Sequence, residues 1–536
     1  MRLTRARGMA SEMGMDRERA FSFPSHAGRG SRTTESTMCA RRKTKSIEPG
    51  TRNAESAFKA IDDLLRGSGG GCSGSLEYME QSSWLLFLRY LDAQEGNRRL
   101  TAEMQGKTYE PALPPELSWG AWAWPTRPDG SFDLDRSLKG DALLDFVKQR
   151  LFPGLKALRD EAAGTTSLQY RIGSIFSELT CRFASGYTLR EVIDLIQPLK
   201  FQTNEDRHEM SVLYENRLRE MGNAGRDGGQ YYTPRPLIRT MVRILAPKLG
   251  ETFYDGACGS GGFLCEAFAY LAETAPNTAD KWVTLQERTF FGGEVKSLAY
   301  VTAQMNCILH GLESPDIHFG SSLAQNPSSI TDADRVDVIA ANPPFGAKVE
   351  KGEKENFTTR SGESAYLFME HFVAKLKEGG RAAIVIKNTL LSNTDNASRY
   401  IRQLLLERCS LEMVLDLPPK VFAAGVKAVV LFFHKGGPTT APIKYYELDM
   451  QGVSLGKTRP LRESDLAEFE AIATGRQSGE GVERFWTVDP ALVDKDTFDL
   501  SVKNPNRKAE TRASAAECRE GIKAAFEEIG AIIQGW

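Results

Sequence analysis

The segment from Asp337 to Phe345 constrains the fold more than any other stretch of the chain. Its apolar and β-branched run, Val338 to Ala341, predicts a buried strand. Pro343 and Pro344 follow at once, and neither has the N–H group that would continue a strand ladder. The break leaves Asn342 at the carboxyl end of the strand, which is where ligands bind in an open parallel α/β sheet.

The residues at this break are suited to chemistry on a planar amine. The carboxamide oxygen of Asn342 and the carbonyl of Pro343 can both accept hydrogen bonds from an exocyclic NH2 group. Such bonds draw the nitrogen lone pair out of conjugation and make it nucleophilic, while the Phe345 ring stacks on the heteroaromatic ring. The segment therefore predicts a site that alkylates an amino group. An ordinary Pro-Pro turn after a strand is the alternative interpretation.

Composition narrows the class of protein. The chain has 536 residues, 41% of them hydrophobic and 26% charged, which is typical of a multi-domain globular protein. A formal net charge of −2 argues against binding nucleic acid by bulk positive charge, so a DNA contact would need a local basic surface or a partner. The lack of a membrane-spanning apolar run and the eight scattered cysteines predict a cytoplasmic protein with reduced thiols and no metal site.

The N-terminal third divides into two parts. The first 45 residues carry eleven Lys or Arg against four acids, and we expect residues 1–50 to be a disordered basic extension, with a DNA-contacting arm as the alternative. Residues 51–204 have helical apolar periodicity, which predicts an N-terminal helical scaffold domain. Trp119, Trp122 and Trp124 could stack on bases, but packing of a loop against helices is the commoner role of such tryptophans.

A loop and helix begin near Gly228. Thr233 is a good N-cap, and Pro234 suits the first helical position. Exposed N–H groups at such a helix start, flanked by Tyr231 and Tyr232, can hold a carboxylate. Simple helix capping is the alternative.

A strand, a Gly-rich turn and a helix follow from Thr252 to Leu264. The glycines allow close backbone approach to a ligand, and Asp255 at the strand tip can accept from an amine or hydroxyl. The spacing differs from that of a phosphate-binding loop, so an uncharged nucleoside fits better than a triphosphate. Glu294, after a second strand, is positioned to take ribose hydroxyls, although a solvated surface glutamate has the same pattern. Cys258 has no nearby His and is best explained by its small size.

Further strands alternate with helices and predict a doubly wound α/β sheet of seven strands, of Rossmann-like type. After the two strands above, the remaining ones are expected at Asp316 to Phe319, at the segment before Asn342, and at Arg381 to Ile386, Leu411 to Leu417 and Ala428 to Phe433.

Taken together, these motifs resemble those of the N6-adenine DNA methyltransferases, and most closely the methylation (M) subunits of type I restriction-modification systems. The order and spacing carry the resemblance, which covers about four-fifths of the chain. The matching motifs are Gln230 to Arg235, Asp255 to Leu264, Gly293-Glu294, Asn306 to Gly311, Asn342 to Phe345, Leu417 to Phe422 and Leu431 to Lys435.

The resemblance implies a seven-stranded, S-adenosylmethionine-dependent methyltransferase fold and a role for each motif. S-adenosylmethionine would be the methyl donor, and the target adenine would be flipped out of double-stranded DNA. The methionine part of the cofactor would meet Gln230, Tyr231, Tyr232, Thr233, Pro234 and Arg235. The rest of its pocket would be formed by Asp255, Ala257, Cys258, Gly259 and Ser321, with Glu294 on the ribose. The adenine would be gripped by Asn342, Pro343, Pro344 and Phe345.

Three positions depart from the family pattern. Gly256 stands where proline is common, Ser321 where an aspartate often lies near the cofactor adenine, and Ala428 where threonine is usual. The Ser321 departure puts polar selectivity near the cofactor adenine in doubt.

The expected catalytic domain spans residues 205–440 and the C-terminal tail residues 441–536. The tail ends in an apolar helical stripe, which fits docking to a partner helix. The stripe consists of Cys518, Ile522, Phe526, Ile529 and Ile533. With the resemblance, this implies a separate specificity (S) subunit that reads the DNA, two M subunits per S, and a restriction (R) subunit in the full complex. A solitary DNA methyltransferase, a protein glutamine methyltransferase and a non-catalytic scaffold are the alternatives.

Overall fold

The computed structural model describes residues 49–507, except residues 105, 107, 110, 166, 202, 223–232, 275–277, 314, 423–424, 451 and 457, and it also describes residues 519–520 and 523. Nearly all of the expected basic extension and the whole apolar stripe of the tail lie outside the described residues. Within the described part, every helix is too short or too polar to cross a bilayer.

The N-terminal part is helical, as its periodicity predicts. Its helices are α1 (Pro49–Arg66), α2 (Ser75–Met104), α3 (Trp119–Trp122), α4 (Gly140–Phe146), α5 (Phe152–Glu161), α6 (Leu168–Ser177), α7 (Gly186–Ile196) and α8 (Asn204–Gly222). Large rings fill the space between them; Trp84, for example, makes edge contacts to Phe152 and Phe183. Trp119 and Trp122 are each 1% exposed, so these two tryptophans pack the helices together and are not available to bases.

The second part alternates strands and helices. Its strands are β1 (Phe253–Asp255), β2 (Phe290–Glu294), β3 (Asp316–Phe319), β4 (Val336–Ala341), β5 (Leu376–Lys387), β6 (Cys409–Asp416), β7 (Ala428–Lys435), β8 (Ile443–Glu447) and β9 (Phe485–Val488). Its helices are α9 (Arg235–Leu245), α10 (Gly262–Thr274), α11 (Ala279–Glu287), α12 (Ser297–Leu309), α13 (Lys351–Lys354), α14 (Ser364–Lys375), α15 (Asn396–Glu407) and α16 (Glu463–Ala473).

The nine strands of the described residues form one sheet in the order β3-β2-β1-β4-β5-β7-β6-β8-β9. The expected number of seven strands is therefore wrong, although each of the seven exists close to its expected bounds. β8 pairs parallel to β6, and β9 pairs antiparallel to β8, so residues from the expected tail extend the sheet. The outer edge of β6 would otherwise present unpaired backbone groups, which β8 satisfies, and β9 covers the edge of β8 in turn.

The sheet separates two apolar cores, and β4 contributes to both. Val338 and Ala340 pack into the core shared with α9, α10, α12 and the N-terminal helices. Ile339 and Ala341 pack on the opposite side with α14 and α15. A strand buried on both faces must be apolar throughout, which explains the continuous run that precedes the prolines. β1 lies directly beside β4, and the strand order reverses between them, so the sheet opens a crevice at their carboxyl ends.

Candidate active site

Asn342 lies at the carboxyl end of β4, as the sequence predicts. Its carboxamide nitrogen donates to the Thr233 hydroxyl oxygen over 3.0 Å. Because the nitrogen side of the amide is engaged, the Oδ1 atom is left to accept from another group, and it has no hydrogen-bond partner among the described residues. The amide is therefore oriented before any substrate arrives.

The Gly-rich turn after β1 is built around a buried carboxylate. Asp255 is 0% exposed, and its Oδ1 atom accepts from the Ala257 N–H over 3.1 Å. Its Oδ2 atom is buried and has no hydrogen-bond partner among the described residues. Gly259 and Gly261 adopt positive φ angles of 53° and 77°, which side chains with a Cβ rarely tolerate. Glycine is therefore suited to the sharp turn that follows Asp255.

Glu294 at the end of β2 is joined to this turn. Its Oε2 atom accepts from the Gly259 N–H over 2.9 Å, and its Oε1 atom accepts from the Lys296 N–H over 2.8 Å. Each oxygen keeps a second lone pair, so the carboxylate can still accept from two ligand hydroxyls. Glu294 is thus held in place by the backbone and differs from the freely solvated glutamate of the alternative interpretation.

Burial shifts the acid–base properties of the turn. Burial, reinforced by the charge of Glu294 and opposed by the Ala257 N–H, raises the pKa of Asp255 to about 8. Burial also raises the pKa of Glu294, against the hydrogen bonds from Lys296 and Gly259. The pKa of the Cys258 thiol is raised well above its usual range by burial and by the two carboxylates, so this thiol stays protonated and does not act as a nucleophile.

One cavity joins the turn to Asn342. It is lined by Thr233, Ile238, Ala257, Cys258, Gly259, Ser260, Gly262, Phe263 and Asn342. A ligand in this cavity therefore contacts the Gly-rich turn and the carboxamide at the same time.

The chain is similar to known protein families along most of its length. The N-6 DNA Methylase family model matches residues 205–514, and the HsdM N-terminal domain model matches residues 54–196. The type I restriction enzyme EcoEI methylase subunit of Escherichia coli is 33% identical over 462 residues, covering 84% of this chain and 90% of that protein. The chain belongs to the type I restriction enzyme methylase subunits.

Two further proteins are similar to this chain. The type I restriction enzyme EcoKI methylase subunit of Escherichia coli K12 is 33% identical over 284 residues, covering 50% of this chain and 54% of that protein. A chain of a solved type I R-M system is 33% identical with a TM-score of 0.70, covering 91% of this chain and 98% of that chain.

The motif before α9 differs in detail from the expectation for a methylase subunit. Gln230, Tyr231 and Tyr232 lie outside the described residues. The N-cap of α9 is Pro234, so the predicted Thr233 cap is wrong. The Thr233 hydroxyl is instead occupied by the Asn342 amide, a partner that no local pattern reveals.

Arg235 is turned away from the cavity of this methylase subunit. Its guanidinium pairs with Glu215 of α8 and donates to the Gly262 carbonyl over 2.7 Å. A weaker ion pair to Glu266 spans 3.6 Å. Arg235 therefore joins α8, α9 and α10, and its contribution to a ligand is through the position of the Gly-rich turn.

Ser322, a residue the sequence analysis missed, contacts the turn more directly than its neighbour Ser321. Its hydroxyl donates to the Gly256 carbonyl over 2.7 Å and accepts from the Tyr254 hydroxyl over 3.3 Å.

A Cβ on Gly256 would lie 2.8 Å from a Phe372 ring carbon and 2.9 Å from the Tyr254 ring. The large Tyr254 two residues earlier is the local signal that proline is unsuitable at this position of the chain.

Two exposed apolar side chains beside Glu294 were also missed. Val295 is 57% exposed and Phe319 is 39% exposed. Glu294 pairs in register with Phe319, so both side chains lie at the tips of β2 and β3. The available signal was their position at the ends of strands, since exposed apolar residues at a crevice offer a surface to a flat ring.

Proposed function

We propose that this adenine-specific DNA methyltransferase moves a methyl group from S-adenosylmethionine to the N6 atom of an adenine flipped out of double-stranded DNA. The observation that carries the proposal is the pre-oriented Asn342 amide, since Asn342 lines the same cavity as the Gly-rich turn. The activity corresponds to EC 2.1.1.72, and the chain serves as the modification subunit of a type I restriction-modification system.

The residues at the turn fit the proposed cofactor. The orphaned Oδ2 atom of Asp255 would accept from its amino group, and Glu294 would accept from its ribose hydroxyls. The apolar side chains of Val295 and Phe319 offer a surface to its adenine ring. When bound, S-adenosylmethionine supplies an electrophilic methyl group on a sulfonium.

The target adenine would be held by the segment after β4. Asn342 Oδ1 and the Pro343 carbonyl would accept the two N6 hydrogens, which increases the nucleophilicity of that nitrogen. Phe345 would stack on the base and offset the cost of flipping, which is a few kcal/mol. The protein thus acts through positioning and hydrogen-bond polarisation of the amine.

Sequence recognition would reside in a separate specificity subunit. The chain has a formal net charge of −2, which does not favour tight DNA binding by this chain alone. We therefore propose an assembly of two M subunits with one S subunit. An R subunit would join this assembly for DNA cleavage, and the complex would act in the cytoplasm. The C-terminal stripe and the N-terminal helices would provide the contacts to S.

The test is transfer of labelled methyl from S-adenosylmethionine to genomic DNA that lacks adenine methylation. The chain is assayed alone and after co-expression with its specificity subunit. Label on N6-adenine only in the second case supports the proposal. Label on DNA with the chain alone would indicate a solitary enzyme. Label on protein glutamine would show that the substrate is protein and not DNA.

A further inference from the structure

We propose that Ser364, Glu363 and Lys387 form a clamp that fixes the Phe345 ring for stacking on the target base. The inference rests on the proposed function, because it assigns positioning residues to the adenine grip. We call these three residues the Phe345 clamp.

Ser364 ties the two sides of the turn that carries Phe345. It is the first residue of α14 and is 1% exposed. Its hydroxyl donates to the Pro344 carbonyl over 2.6 Å and accepts from the Ala347 N–H over 3.1 Å. One buried hydroxyl therefore bridges the residue before Phe345 and a residue two positions after it.

Glu363 fixes the residue that directly follows the ring. Its Oε1 atom accepts from the Gly346 N–H over 2.5 Å. Gly346 has a φ of +69°, a conformation that glycine adopts with little strain. The sharp change of direction after Phe345 is therefore held by a charged acceptor, which makes a stronger hydrogen bond than a neutral one.

Lys387 connects the carboxylate to the ring. It is the last residue of β5, and its ammonium donates to Glu363 Oε2 over 2.5 Å. The same nitrogen lies 5.9 Å from the centroid of the Phe345 ring, within the range of a cation–π contact. The side chains of Lys387 and Glu363 are 27% and 19% exposed, so solvent screens this ion pair only in part.

The clamp is separate from the cofactor cavity. Among the described residues that line that cavity, none belongs to the clamp. Its contacts converge instead on Pro344, Phe345, Gly346 and Ala347. Loss of the clamp should therefore affect the target base while cofactor affinity is retained, and a general folding defect would affect both.

The experiment uses the chain assembled with its specificity subunit and a duplex whose site is found by sequencing N6-methyladenine in the co-expressing host. The variants are Glu363→Gln, Lys387→Met, their combination, Ser364→Ala and the conservative Lys387→Arg. Glu355→Gln, an exposed carboxylate on the same loop, is the matched control. Single-turnover transfer at saturating cofactor, cofactor affinity and the fluorescence of 2-aminopurine at the target position are measured.

We expect each disrupting variant to slow transfer about tenfold and to lower the fluorescence of 2-aminopurine, because a smaller share of the target base leaves the duplex stack that quenches it. Cofactor affinity should stay within about twofold of the wild type. Lys387→Arg should recover most of the transfer rate. The double variant should transfer methyl little more slowly than either single variant. Unchanged transfer and fluorescence, or a parallel loss of cofactor affinity, would overturn the clamp. An inactive wild-type assembly, or a fully active Asn342→Ala, would instead overturn the proposed function.

Discussion

The two sides of the site are built by different physical means. The cofactor side consists of the Gly-rich turn after β1 with Asp255 and Glu294, where buried carboxylates have raised pKa values. The target side, Asn342 to Phe345, carries a neutral amide and an aromatic ring on two rigid prolines. The cofactor side therefore depends on the charge state of its carboxylates, whereas the target side depends on the positions of its atoms.

The difference follows from what each side must do. A cationic ligand gains most from carboxylates held in a low-dielectric turn, since their interaction is weakly screened there. A flipped base is a neutral ring, so its reactivity depends on the alignment of acceptors with its amine. Changes on the two sides should therefore alter different measured quantities.

The largest effect is expected for Asn342→Ala. It removes the Oδ1 acceptor that polarises the target amine, and the rate of methyl transfer should fall on the order of 10²- to 10³-fold. Cofactor affinity, measured by calorimetry, should change little. Asn396→Ala, an exposed asparagine at the start of α15, serves as the control and should retain the wild-type rate. Near-full transfer by Asn342→Ala would remove this residue from the target side.

Glu294→Gln should weaken cofactor binding roughly 10- to 100-fold, as expected for losing charged hydrogen bonds. The amide retains one acceptor oxygen, whereas the carboxylate accepts from both Gly259 and Lys296. Equilibrium binding measures the effect, and the exposed Glu287→Gln on α11 is the matched control. Unaltered affinity would show that Glu294 is only a structural link to the turn.

The pH dependence of cofactor binding should follow Asp255. Its pKa of about 8 means that the unliganded protein holds a proton there at neutral pH. A cationic amino group favours the ionised form, so affinity should rise roughly tenfold or more between pH 6 and pH 8 and fall again at higher pH, where the free amino group loses its charge. Titrations across this range test the effect, and Asp255→Asn should give a weaker but flat profile. A flat wild-type profile would contradict the pairing.

The raised pKa of Asp255 affects the stability of the unliganded chain in the opposite direction, because this stability falls as the pH rises. The neutral, buried carboxyl is the favoured folded form. Its contribution to stability is fully present below pH about 4 and is lost as the pH rises through about 8.

The smallest effect is expected at the boundary between the two sides. Thr233→Val removes the acceptor of the Asn342 amide, and transfer should slow roughly two- to tenfold because the amide is less well oriented. Thr233→Ser should restore the rate. Steady-state kinetics separate this role from the one that the sequence implies, since a cofactor contact would raise the KM for the cofactor and leave kcat unchanged.

The sequence predicted the elements whose signals are local. β4 was visible because a strand buried on both faces is continuously apolar and is ended by two prolines. The Gly-rich turn was visible because its glycines lie next to a strand that ends in Asp255.

The remaining features depend on partners that are distant in sequence. β8 and β9 gain their stability by pairing beyond β6, so their short segments gave no separate strand signal. Threonine is a common N-cap residue, but the Thr233 hydroxyl accepts a hydrogen bond from a residue 109 positions away. Ser322 likewise acquires its role only when β3 brings it to Gly256.

One measurement tests the division of the site most directly: single-turnover methyl transfer at saturating cofactor, in the assembly with the specificity subunit, for Asn342→Ala and Glu294→Gln side by side. We expect saturation to return Glu294→Gln to near the wild-type rate, while Asn342→Ala remains on the order of 10²-fold or more below it. Recovery of Asn342→Ala by excess cofactor, or failure of Glu294→Gln to recover, would contradict this expectation.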